Sequence, residues 1–418
     1  MSRLLFAARV LCGIIESDEH PSYTYAYTHV RNHVLIGPIA QSGRWAAPSA
    51  PPEPMKILLA PDSFKGTLSA TEVANVLADT LRKHFPDADV RILPLSDGGE
   101  GLLDCMQTAM HGTMMTTTVQ GPLGRDVRAR YLLAGTTAVV EMAEAAGLPL
   151  LDSPSVMRTT TFGVGQLVAE AEAHGATHVL VGLGGSATND AGCGMAAALG
   201  TRFWNGEGYF VPVGGTLTDV RRIEYGPLHP YVTALCDVNN PLYGPQGAAY
   251  VYGPQKGATD DDLVRLDEGL RHIASLWEAD GRRQYDVVGA GAAGGLGAGI
   301  MTFLGGRLRH GIDAILDALG YDALVADADL VVTGEGRLDG QSFSGKVIDG
   351  VLARTPCPVV AFVGQIAEDT VPAAHGLAAA FDTARHLHGG DYRVMADATA
   401  RLAAEDLADW IRTHIATK

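Results

Sequence analysis

A chain of 418 residues with a 47% hydrophobic fraction exceeds what one hydrophobic core usually organises, so two domains are expected. Its formal charge of −16, from 31 Lys and Arg against 47 Asp and Glu, works against nucleic acid or an anionic lipid surface as a partner. The five cysteines, Cys12, Cys105, Cys193, Cys236 and Cys357, form no C-x-x-C pair, and no run approaches the roughly 18 apolar residues of a membrane span; a cytoplasmic, reduced protein without a disulfide framework or zinc site is expected.

The first 54 residues stand apart and end in the Pro-rich run Ala46-Ala47-Pro48-Ser49-Ala50-Pro51-Pro52-Glu53-Pro54. Residues 4–15 have the apolar character of a signal-peptide core, but Arg9 interrupts it and no small-x-small cleavage site follows. Residues 1–54 read as a disordered extension or as sequence upstream of a true start at Met55.

From Lys56 short β-rich runs alternate with helical periodicity, the pattern of an α/β fold with a parallel sheet. Residues 57–60 read as a buried strand. Ser69 then caps a helix, with Glu72 completing a capping box and Val73, Val76, Leu77 and Leu81 on one apolar face. Residues 90–93 are a second strand. The stretches 116–119, 127–132 and 137–141, separated by Gly-containing turns, carry an antiparallel signature. A helix over 165–173, a strand over 178–182 and a long Ala-rich helix over 191–199 follow, then β-rich runs at 231–236 and 248–252 and a Gly-rich segment at 289–299. Strand and helix alternate again after about residue 300, with a strand at 329–332, a helix at 346–353 and an apolar run at 358–363. The predicted architecture is a Rossmann-like, doubly wound parallel sheet domain built from both chain ends, 55–98 and 300–418. A mixed α/β domain, 99–299, is inserted between them, with a cleft at the junction.

Polar residues just after strands of an open parallel sheet face the ligand crevice. Ala60-Pro61-Asp62-Ser63-Phe64-Lys65-Gly66 sets a carboxylate, a hydroxyl and an ammonium between a strand and a capped helix; Asp62 and Ser63 would equally satisfy turn amides, leaving Lys65 solvated. Ser96-Asp97-Gly98-Gly99-Glu100-Gly101 ends the neighbouring strand, a geometry suited to carboxylates that position Mg²⁺ or accept a proton. Gly182-Leu183-Gly184-Gly185-Ser186-Ala187-Thr188-Asn189-Asp190 follows a strand and precedes the Ala-rich helix, so its amides favour an anion; the alternative is tight packing of helix on strand. Thr333-Gly334-Glu335-Gly336-Arg337-Leu338-Asp339 also follows a strand, and Gly340 to Lys346 nearly spells a Walker A motif, with Val347 where a Ser or Thr is needed. A structural ion pair is the competing reading for Glu335, Arg337 and Asp339. Turn chemistry is the favoured reading of Gly253-Pro254-Gln255-Lys256-Gly257.

Taken in order, these loops, together with Cys236-Asp237-Val238-Asn239-Asn240-Pro241-Leu242, resemble the type 1 glycerate kinase family from Met55 to near the C-terminus. The resemblance implies a two-domain kinase that uses ATP and Mg²⁺ to phosphorylate D-glycerate to 2-phosphoglycerate. On that basis Lys65 and Lys346 neutralise the substrate carboxylate or the transferring phosphate, and Gly184, Gly185 and Ser186 cradle phosphate oxygens. Asp190 is the expected base and, with Asp97, a metal ligand. Asp62, Ser63, Ser96, Asp97, Glu335 and Asp339 contact glycerate or Mg²⁺. Two other readings stand beside it. A nicotinamide-dependent hydroxy-acid oxidoreductase would share the Gly-rich turn, but lacks an acidic strand end about 20 residues on. A sensor of small organic acids would have no need of the acidic loops.

Overall fold

The computed structural model describes residues 12–16, 24–30, 33–38, 53–64, 66–99, 101–229, 231–343 and 345–416. Two compact units are present, Met1–Pro54 and Met55–Lys418. In the first, strands Cys12–Glu16, Thr24–Val30 and His33–Pro38 pair as an antiparallel meander, with Tyr27 opposite both Gly13 and Ile36. The Tyr- and Thr-rich composition of 24–28 suits a strand better than coil, a signal the Pro-rich run obscures.

In the second unit, β1 (Lys56–Pro61) and β2 (Asp89–Ile92), joined by helix α1 (Ala70–His84), begin a parallel sheet. Ser69 caps α1 as expected: its hydroxyl accepts the Glu72 amide at 3.2 Å and Glu72 accepts the Ser69 amide at 2.8 Å. Helix α2 (Leu102–Met110) then leads into a second sheet. Its strands are the antiparallel pair β3 (Thr113–Gln120) and β4 (Asp126–Ala134), then β5 (Thr137–Glu141), β6 (His178–Gly182), β7 (Val232–Cys236) and β8 (Arg307–His310). Helices α3 (Phe162–Ala173), α4 (Cys193–Ala198), α5 (Asp260–Ala279) and α6 (Ala292–Leu304) lie along this segment. After α7 (Gly311–Ala318) the chain returns to the first sheet for β9 (Leu330–Gly334), α8 (Val347–Arg354), β10 (Val359–Val363) and β11 (Ala379–Asp382), and closes with α9 (Tyr392–His414). The first sheet runs β11-β10-β9-β1-β2, all parallel. The second runs β8-β7-β6-β5-β4-β3, parallel from β8 to β5.

The alternation of side chains along each strand builds a layered stack. In the first sheet Ile57, Leu59, Val332 and Phe362 join α1 and α9 in one core. Leu58, Ala60, Val331 and Ala361 point the other way. They share a second core with Leu132, Val139, Leu180 and Leu235 of the second sheet, filled between by Leu102 and Met106 of α2, Ile312 and Ile315 of α7 and Val347 and Val351 of α8. Tyr131, Val140, Val181 and Ala234 face a third core with α3, α5 and α6. The order is helix, sheet, helix, sheet, helix, and the middle helices belong to both sheets.

Three local expectations are corrected. The Ala-rich helix over 191–199 is only Cys193–Ala198, because Ala191 (φ 54°) and Gly192 (φ 72°) are left-handed and interrupt it. Residues 248–252 form a short helix, not a strand; a five-residue apolar run carries no decisive period. The second sheet runs to His310, past the expected edge at 299. The Gly-rich 289–299 segment serves close packing: Gly294 and Gly295 are left-handed, and a Cβ on Gly294 would overlap the Thr188 carbonyl.

Candidate active site

Strands β2, β1 and β9 are adjacent and parallel, so the residues just past their C-terminal ends converge. Ser96 and Asp97 follow β2, Asp62 and Ser63 follow β1, and Glu335 follows β9. They open onto a cavity of about 490 Å³ lined by Asp62, Ser63, Asp97, Glu335, Asp339 and Lys346, with Arg337 and Arg393 among the remaining walls. Six of the residues named from sequence therefore meet in one place. Ser96 lines an adjoining cavity of about 300 Å³ that shares Asp62 and Ser63 and reaches the start of α1. Lys65, like Glu100, lies outside the described residues.

The carboxylates are held by local amides. Asp62 accepts the Ser63 N–H at 2.6 Å, Asp97 accepts the Gly99 N–H at 2.9 Å, and Asp339 accepts the Gln341 N–H at 2.9 Å. These are the turn contacts that local chemistry predicts, and they fix each carboxylate's direction. Glu335 differs: it is buried, and its Oε1 has no hydrogen-bond partner. Burial raises its pKa, helped by the charges of Asp339 and Asp97 and resisted by Ser342 and Lys346. Arg337 and Asp339 stand 3.7 Å apart, a rim pair that contributes little to stability.

The second set of loops surrounds a cavity of about 170 Å³, lined by Gly184, Gly185, Ser186, Asp237, Tyr252 and Lys256 among others. Lys256 is 2% exposed. Its Nζ donates to Ser186 Oγ and to the Thr188 carbonyl, both at 2.7 Å. Burial pushes its pKa down to about 7 against the pull of the Asp190 charge. Turn chemistry alone does not account for this lysine. Its isolation in a Gly-Pro-Gln-Lys-Gly turn was the only available signal. Arg393, at the start of α9, had none.

Asp190 sits elsewhere than expected. It is fully buried and lines neither cavity. Its Oδ2 accepts the Thr161 N–H (2.7 Å), the Thr161 hydroxyl (2.9 Å) and the Gly194 N–H (3.2 Å), while Oδ1 accepts the Gly192 N–H at 3.1 Å. The carboxylate thereby satisfies amides at the opening of α4 and the Thr161 amide and hydroxyl. The expected roles as base and metal ligand have this geometry against them.

The two cavities lie along one junction. A side chain on Gly98 would press on Leu235 at 3.0 Å and one on Gly182 on the Gly98 carbonyl at 2.8 Å, while one on Gly311 would overlap the Asp97 carbonyl. The acidic loop after β2 therefore rests directly on the ends of β6 and β7, and the chain continues from Gly182 into the Gly184–Ser186 wall. Glu141, at the end of β5, accepts the Leu103 amide at 3.2 Å and anchors α2 beside this loop; burial raises its pKa to about 7. Among the described residues no group of three or more His, Cys, Asp or Glu is gathered for metal ligation, and no helix is long and apolar enough to cross a membrane.

The model of the Glycerate kinase family matches residues 57–412. A glycerate kinase of Bacillus subtilis (strain 168) is 44% identical over 342 residues, covering 78% of this chain and 90% of that one. A glycerate 2-kinase of Escherichia coli (strain K12) is 41% identical over 342 residues, with the same two shares. A crystal structure from Salmonella typhimurium LT2, assigned as a glycerate kinase 2, superposes with a TM-score of 0.76 at 40% identity, covering 86% of this chain and 98% of that one.

Proposed function

This chain belongs to the glycerate kinase family, and from that premise we propose that it transfers the γ-phosphoryl group of ATP to D-glycerate, forming 2-phosphoglycerate. The observation that carries this reading is the cavity at three neighbouring strand ends, where Asp62, Asp97, Glu335 and Asp339 face Lys346, Arg337 and Arg393. Such a site offers cations for a small carboxylate and for phosphate, and carboxylates for a hydroxyl. The 2-position rests on the name of the Escherichia coli relative. Family membership favours this reading over the oxidoreductase and the sensor.

Phosphoryl transfer asks the protein mainly for positioning and charge neutralisation. Lys346 neutralises the substrate carboxylate or the phosphate, and Ser63, Ser96 and Asp339 orient the glycerate hydroxyls. The donor set fits Mg²⁺, since Asp97 and Asp62 offer the hard carboxylate oxygens this ion prefers, and Mg²⁺ commonly takes only one or two of them beside water and phosphate. When bound, Mg²⁺ and ATP supply the phosphoryl group and the neutralisation of its developing charge. Glu335 is the base: it lines the cavity beside Lys346 without committing its buried Oε1 to any partner, and a raised pKa suits a group that must take a proton near neutrality. Gly184, Gly185 and Ser186 approach the phosphates of the nucleotide from the second sheet.

The test is an ADP-release assay on the full chain with ATP, Mg²⁺ and D-glycerate, followed by enolase. Glycerate-dependent ADP release with direct enolase conversion is the expected result. Release without conversion would move the reading to another hydroxyl, and no release would remove it.

A further inference from the structure

The buried lysine of the smaller cavity is not accounted for by packing. Lys256 Nζ is bound by two neutral acceptors, the Ser186 hydroxyl and the Thr188 carbonyl, whereas buried ammonium groups are ordinarily paired with an opposite charge. Asp190, whose charge reaches it, is committed to Thr161, Gly192 and Gly194. An ammonium has three donors, and two are engaged. The cavity it lines is walled by Gly184 and Gly185, with Gly185 left-handed at φ 71°. The same loop carries two further unmet polar groups, Thr188 Oγ1 and Asn189 Nδ2, both buried without partners. Thr188 and Asn189 do not line the cavity, so it is Lys256 that brings a positive charge and a third donor to its wall.

We infer that Lys256 is an oxyanion-binding residue, and that its ammonium, held in place by Ser186 and Thr188, takes an anionic oxygen of a bound substrate entering between Gly184 and Asp237. The inference rests on the kinase reading above. The nucleotide's phosphate is the expected source, because the glycine wall lets a bulky anion approach the backbone; the carboxylate of glycerate has the same chemistry. An anion at Nζ supplies the charge partner that Asp190 does not. Besides Lys256, the titratable groups lining the cavity are Asp237 and Tyr252, and Asp190 acts on Lys256 from outside it. Asp237 carries the same sign as the ligand and limits how deeply the anion sits.

The experiment compares wild type with Lys256→Met, of similar length and without charge. Calorimetry measures binding of ATP alone and of D-glycerate alone, beside steady-state KM and kcat and the thermal midpoint. Loss of a charged hydrogen bond is expected to weaken ATP binding by about tenfold or more, leave glycerate binding unchanged, and be partly restored in Lys256→Arg. Weakening of glycerate binding instead would keep the oxyanion role and assign its source to the carboxylate. Unchanged affinity for both overturns the inference, provided wild type turns over glycerate; an inactive wild type would instead sink the kinase reading. A second measurement needs no folded variant at this site. The chain has six lysines, so ¹³Cε-lysine spectra of wild type, assigned by single Lys→Arg changes at the other five, report Lys256 directly. Its resonance shifts on saturation with the nucleotide if the inference holds; a signal unmoved by either substrate overturns it.

Discussion

Glu335 and Asp190 are both buried acids, yet their surroundings separate them. Each of Asp190's oxygens is engaged by amides or a hydroxyl, while Glu335 keeps one oxygen without a partner beside Lys346. Glu335→Gln is therefore expected to lower kcat on the order of 10² or more while leaving the thermal midpoint near wild type, as loss of a positioned base does. Asp190→Asn should act chiefly on stability, because its amide would set N–H donors against the Thr161 or Gly194 amide, at a cost of about 1–3 kcal/mol. The opposite pattern, with Asp190→Asn folded and slow, would return the base to Asp190. Glu141 adds a pH dependence. Its folded pKa of about 7 lies above the ordinary 4.5, so the fold holds its proton longer than the unfolded chain. This contribution is full below pH 4.5 and is lost as pH rises to about 7. Glu141→Gln, which keeps the acceptor for Leu103, should flatten that fall, which amounts to about 3 kcal/mol at most. Parallel stability curves from pH 5 to 8 for the two proteins would refute the assignment.

Elements decide which of these residues can meet. Adjacency of β2, β1 and β9 brings the loops at Asp62 and Asp97 into one cavity with the distant loop at Glu335, although each loop alone reads as an ordinary turn. The second wall depends on α6, whose left-handed start at Ala293, Gly294 and Gly295 presses on residues 188–191. Gly294→Ala places a Cβ against the Thr188 carbonyl and forces a conformation L residues avoid, costing about 1 kcal/mol or more. Because Thr188 also holds Lys256, this change is expected to raise the KM for ATP and lower the thermal midpoint together; a lowered midpoint with unchanged KM would show that the loop does not transmit the shift. The helical expectations were best where periodicity was long and capped, as in α1. They failed at 191–199, where two left-handed residues cut a composition that looks helical.

For the whole molecule, the helices α2, α7 and α8 fill a core that takes Leu58 and Val331 from one sheet and Leu180 and Leu235 from the other. Neither sheet can lose this layer and keep both faces covered. Residues 55–418 are therefore expected to unfold in one calorimetric transition, with calorimetric and van't Hoff enthalpies in agreement. Two resolved transitions would show that the sheets have separable cores. The sequence by itself determined the class of fold, the capped first helix, several of the buried strands and the acidic strand-end loops, because periodicity, capping and turn chemistry are local. It could not determine that Asp190 turns inward, that Lys256 is buried behind Ser186, or that Glu335 keeps an oxygen without a partner. Those depend on which strands lie side by side and on what packs above them, and burial, which shifts a charge's proton affinity, exists only once the layers have closed.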